Sequence, residues 1–163
     1  MKQVDIGIKS SREYWELVVQ PNEKAFFDTQ SHQTTINLSL SLWHLGDWVS
    51  NENFPAHDKK LRKYNLQKFN KSMIESCPLF SIVRDIIDTG KHRILDRSTV
   101  NVSSVPQVAS GAWGTSAWGT TKREFYVQTD DGELIALRSV FGAASAYWRQ
   151  HFEGTAEDET EAT

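Results

Sequence analysis

Cysteine is nearly missing from this chain: Cys77 is the single one among 163 residues. No intrachain disulfide can form, and a tetra-cysteine zinc site is excluded. That composition fits a reducing compartment, and a cytoplasmic protein is expected. Long apolar runs are missing too. No window approaches the roughly 18 uninterrupted apolar residues of a spanning helix, and MKQVDIGIKSS at the start lacks the apolar run of a signal peptide, so no membrane association is expected. The phosphate-cradling GxxxxGK[ST] loop, the GxGxxG dinucleotide fingerprint and the GxSxG nucleophile elbow do not occur, nor does HExxH. No cofactor is therefore expected. Repeats with a period of about 20–50 residues are also missing. No Pro/Gly-rich linker divides the chain, and one domain over residues 1–152 is the simplest organisation.

What the chain does have is globular composition, with 39% hydrophobic and 24% charged residues. Its net charge of −3 is uneven: residues 153–163, EGTAEDETEAT, hold five acids and no base, which leaves −3 + 5 = +2 for the body. A disordered acidic tail is expected there. Within the body, HDKKLRKYNLQKFNK (residues 57–71) carries Lys59, Lys60, Arg62, Lys63, Lys68 and Lys71 against Asp58, a local charge of 6 − 1 = +5. Cations interleaved with Tyr64 and Phe69 could grip a phosphate backbone and stack on bases. The competing reading is a solvated helix face whose Leu61, Tyr64, Leu66 and Phe69 serve the core.

Hydrophobic spacing predicts mostly helix. Ser10 followed by Glu13 marks a helix start near Ser11, and Pro21 is expected to interrupt that helix. Residues 34–54 place Leu38, Leu42, Leu45 and Val49 at helical spacing, with Ile36, Leu40, Trp43 and Trp48 filling in around them. A helix apolar on nearly every side belongs at the centre of a bundle. The basic helix should run from about Asp58 to Ser76. Pro78 then precedes a fourth helix over Leu79–His92, with Leu79, Val83, Ile86 and Ile87 on one stripe and Arg84, Asp85, Asp88 and His92 opposite. After Leu95 the period shortens to two: Val100, Val102 and Val105 alternate. Phe125 and Val127 return through an Asp131-Gly132 turn to Leu134 and Ile135 as a hairpin. SVFGAASAYWRQHF closes the chain as a helix. The fold expected is α+β and mainly α: an N-terminal four-helix bundle, a small antiparallel sheet or hairpin inserted near residues 98–137, and a C-terminal helix.

Candidate chemistry sits on two of these helices. His44 and Asp47 are three apart, and Asp47 can orient His44. Arg84, Asp88 and His92 are spaced by four and stack along one side. Were the two helices to turn these groups toward each other, three readings would stand. One is a buried structural network. Another is a metal-independent ribonuclease site, with histidine moving a 2′-hydroxyl proton and arginine stabilising the phosphorane. The third is a divalent metal held by His44, Asp47, Asp88 and His92; the favoured expectation is no metal. Cys77, beside Pro78, is expected to be a buried small apolar residue. Trp113 and Trp118, in the doubled AWGT of residues 112–120, could stack bases or form a partner or homodimer face with the last helix, or pack over the sheet.

The run SLSLWHLGDWV followed by CPLFSIVRDIIDTGKH resembles small helical proteins of bacteria and phages, over roughly residues 11–152. More loosely, a polar helix carrying Arg84 and His92 in a small bundle is similar to the HEPN superfamily. That resemblance implies RNA engagement or cleavage in a toxin or antiviral defence setting, with Arg84 and His92 as the candidate catalytic pair and His44, Asp47 and Asp88 alongside. Seven residues separate Arg84 from His92, where the family's usual spacing is four to six. The alternative is a non-enzymatic interaction module whose polar cluster is structural.

Overall fold

The computed structural model describes residues 7–91, 102–104, 107–110, 122–129 and 132–160. The fold is α+β, mainly α, as the spacing predicts. The first helical segment opens as α1 (Ser11–Tyr14), widens into a π turn (Trp15–Val19) and continues as α2 (Gln20–Asp28). Ser10 caps it, its hydroxyl accepting the Glu13 N–H at 3.1 Å. Pro21 does not break the helix. The Gln20 N–H reaches back to the Trp15 carbonyl, five residues away, so the helix widens just before the residue that has no N–H to give.

Helix α3 (His32–Asn53) is the hub. Ser31 and Thr34 form a reciprocal capping box at its start, Ser31 N–H to Thr34 Oγ1 at 2.9 Å and Thr34 N–H to Ser31 Oγ at 3.1 Å. It touches α1, the π turn, α2, α4 (Lys59–Ser76), α5 (Phe80–Lys91) and α6 (Leu137–Thr160). Leu38, Leu42, Leu45 and Val49 are buried, as their spacing predicts, together with Ser39, Ser41, Gly46 and Ser50. The side carrying Ile36, Leu40, Trp43, His44, Asp47 and Trp48 is only half covered or exposed. The helix is therefore central without being enclosed.

Asp58 caps α4, accepting the Leu61 N–H at 2.8 Å. On α5, Phe80, Ile82, Val83, Ile86 and Ile87 are buried. Asp85, expected on the wet side, is 1% exposed. Because α3, α4, α6 and the first strand all pack on α5, more of its circumference is covered than a single apolar stripe would need.

The sheet is built on β3 (Lys122–Thr129). Its second half has β1 (Val102–Ser104) on one side and β4 (Leu134–Ala136) on the other, with Gln128 between Ser104 and Leu134. β2 (Gln107–Ser110) pairs with the first half, Gln107 opposite Phe125. All pairings are antiparallel. Phe125 and Val127 point into the core while Glu124 and Tyr126 are half exposed, the alternation of a one-sided sheet. The expected β3–β4 hairpin is present. Gly132 takes the left-handed conformation at φ +86°, and the Thr129 N–H reaches the Glu133 carbonyl at 2.9 Å. β4 leads straight into α6, whose Leu137, Val140, Phe141, Ala144, Trp148 and Phe152 face the core. Its helical backbone continues to Thr160, into the acidic segment expected to be disordered.

Trp148 joins the two longest helices. Its ring is fully buried, and its Nε1–H donates to the Leu42 carbonyl of α3 at 3.1 Å. Phe69, Phe80, Tyr147, His151 and Phe152 surround it, with centroids 5.1–6.4 Å away. Truncating it to alanine opens a cavity at the point where α3, α4, α5 and α6 meet. Trp148→Ala is expected to lower the unfolding free energy by about 3–5 kcal/mol, read by urea denaturation; a loss under about 1 kcal/mol would mean the ring is not the keystone described.

Candidate functional site

His44 and Asp47 do form the pair their spacing predicts, His44 Nδ1 to Asp47 Oδ2 at 3.0 Å. Their side chains remain 43% and 34% exposed. The pair lies on the open side of α3 next to the first helix. Tyr14 stacks on Trp48 with centroids 5.3 Å apart, and burial, then the Asp47 charge, raises the Tyr14 hydroxyl above the usual tyrosine value. Lys9, Asp47, Trp48, Asn51 and Glu52 line a shallow depression of about 350 Å³. Glu52 is already used at its edge: Ser11 gives it both its backbone N–H, at 2.6 Å, and its hydroxyl. A carboxylate there also complements the positive end of the helix.

The α5 residues belong to a different local arrangement. Arg84 lies against its neighbour Asp85, Nε to Oδ1 at 3.8 Å. No hydrogen bond or ion pair links Arg84 to Asp88 among the described residues, and none there links His44 or Asp47 to Arg84, Asp85 or Asp88. His92 and the Trp113/Trp118 loop lie outside the described residues. The described residues contain no cluster of three or more His, Cys, Asp or Glu side chains able to hold a metal. Cys77 is half-buried, and burial pushes its thiol up.

The basic helix is where exposure differs most from a core-serving face. Lys59, Lys60, Arg62, Lys63, Lys68 and Lys71 are all exposed. So are Leu61 at 50% and Tyr64 at 61%. The second half of α4 does enter the core: Met73 is buried and Phe69 stacks near Trp148. Leu61 and Tyr64, assigned to the core in one reading of the sequence, are not part of it. At about 100° per residue, Lys60, Tyr64, Lys68 and Lys71 fall on one outward ridge. Arg62 is tied to the Ala56 carbonyl at 3.3 Å, and Lys71 reaches Glu75 at 3.8 Å. Phe54, 51% exposed, begins the loop that leads into this helix.

His151 is a half-buried group that spacing did not single out. It sits on α6 with its ring edge-on to Trp148 at 5.8 Å and to Phe152 at 5.0 Å. Its pKa is lowered by burial and then by Arg12 of α1, with Glu52 of α3 acting in the opposite sense. No sequence periodicity reports such a pairing, because its partners come from three separate helices.

Compared with known proteins, the chain matches no protein-family model, no curated protein and no solved structure. No helix among the described residues is long and apolar enough to cross a membrane.

Two measurements check this geometry. His44→Ala or Asp47→Ala should cost less than about 1 kcal/mol, the scale of an exposed ion pair; a larger loss in urea denaturation would place the pair in a buried network. Burial and then Arg12 disfavour the charged form of His151 in the fold, so the unfolded chain binds its proton more readily. Its contribution is fully present above the ordinary value of 6.5 and is lost as pH falls from there through the lowered value. His151→Gln should therefore flatten the decline in stability below about pH 6.5 relative to the native chain; parallel stability curves for the two proteins would contradict this.

Proposed function

We propose that this protein engages RNA through the outward ridge of α4. The observation that carries the reading is the exposure of Tyr64, at 61%, within a row of exposed lysines. A ring set between cations suits a polyanion with flat bases. The cations would carry affinity by releasing counterions from the phosphates, and that term weakens steeply with salt. In this reading the protein acts in the cytoplasm, and Arg84 and His92 are the candidates for any cleavage step.

The test is fluorescence anisotropy with a labelled RNA across a salt series. The double substitution Lys60→Glu and Lys68→Glu should weaken binding at least about tenfold near 50 mM salt, and should flatten the plot of log affinity against log salt by about 1.4, or 0.7 per lost phosphate contact. Unchanged affinity in that variant, or no binding by the native chain at low salt, overturns the proposal. The same samples run on a denaturing gel report cleavage. Cleavage that His92→Ala abolishes, with binding and melting temperature retained, assigns the catalytic step to His92; intact RNA leaves a binding protein.

A further inference from the structure

We infer that Tyr64 is a base-stacking residue and that the α4 ridge selects single-stranded over double-stranded RNA. This rests on the RNA reading above and names its substrate class. Lys60 lies one turn before Tyr64 and Lys68 one turn after, so a cation–ring–cation row spans about 12 Å at about 1.5 Å per residue. The Tyr64 ring has no aromatic partner among the described residues, and the residue is 61% exposed. Neighbouring Leu61, 50% exposed, extends the apolar surface beside it.

A ring on a convex helix ridge cannot use a duplex in this way. Paired bases are stacked inside, and the major groove of A-form RNA is too deep and narrow for side chains to read. Against a duplex the ridge would meet phosphates and minor-groove 2′-hydroxyls but no unstacked base face, and Tyr64 would contribute little. A single strand splays its bases and offers a π face of any sequence. Exposed Gln67, three residues after Tyr64 and four before Lys71, adds an amide that can donate to or accept from a ribose 2′-hydroxyl. That is the reason for choosing RNA over DNA.

The experiment compares one unstructured RNA of about 12 nucleotides, its blunt duplex and the DNA of the same sequence, using the full chain. The single-stranded RNA should bind at least tenfold more tightly than the duplex. Tyr64→Ala should weaken single-strand binding by about 5- to 150-fold and leave duplex binding within twofold, while Tyr64→Phe keeps the ring and stays near native affinity. Tyr64 is outside the core, so each variant should melt like the native protein. Equal binding of duplex and single strand, or a loss under twofold in Tyr64→Ala, overturns the inference even where the Lys60/Lys68 charge reversal still weakens binding and the broader proposal stands. Equal binding of DNA and RNA removes the role given to Gln67. Absence of binding to all three removes both proposals.

Discussion

The indole of Trp148, buried against α3 and bonded to the Leu42 carbonyl, is the constraint on which the arrangement of helices depends. A large ring with one polar edge can be buried only where that edge finds an acceptor. Here the acceptor is a main-chain carbonyl 106 residues away in sequence. Satisfying it fixes where α6 crosses α3. The surrounding rings include Phe69 of α4 and Phe80 of α5, so the same contact also sets the position of two other helices around the hub. The sheet is tied in separately: the Phe125 N–H goes to Gln30 Oε1 at 2.8 Å, from the loop between α2 and α3.

Helix α4 shows how such a core leaves surface available for other work. Its last turns supply Phe69 and Met73 to the aromatic junction. Its first turns carry Leu61 and Tyr64, both exposed. The division is between faces of the helix, since Lys68 and Lys71 are exposed beside core-facing Phe69 and Met73. The His44–Asp47 pair is likewise partly exposed, because that side of α3 is only half covered.

Much of the fold was legible. Periodicity located α3, α4, α5 and α6, with the start of α4 placed near Asp58, and Ser10 marked a helix start through its side-chain oxygen. Alternation and the Gly132 turn gave the hairpin. The exceptions have physical causes. Pro21 misled because a proline's missing donor can be absorbed by one widened turn, which sequence spacing does not display. Asp85 misled because one-stripe reasoning assumes a helix packed on one side. The candidate site was legible only as pairs within a helix: His44 with Asp47 follows from spacing alone, whereas Tyr14 against Trp48, and Arg12 and Glu52 around His151, depend on tertiary packing. Tyr64 lies about 180° around α4 from Met73 at about 100° per residue, so helical phase sets it on the outward side while Phe69 and Met73 face the core.

The widened turn at Trp15–Val19 has a consequence for everything upstream of it. One extra residue in a helix rotates the preceding segment by about 100° relative to the following one. In this chain that offset lets Phe26 of α2 meet Phe141 at 4.7 Å while Tyr14 of α1 still meets Trp48. The leading turn is thus clocked independently of the rest. A chain shorter by one residue in this turn could regain regular winding only by swinging Ser11 away from Glu52 and Arg12 away from the Phe152 carbonyl. Length at this point, more than the identity of any side chain, sets the azimuth at which the chain enters the bundle.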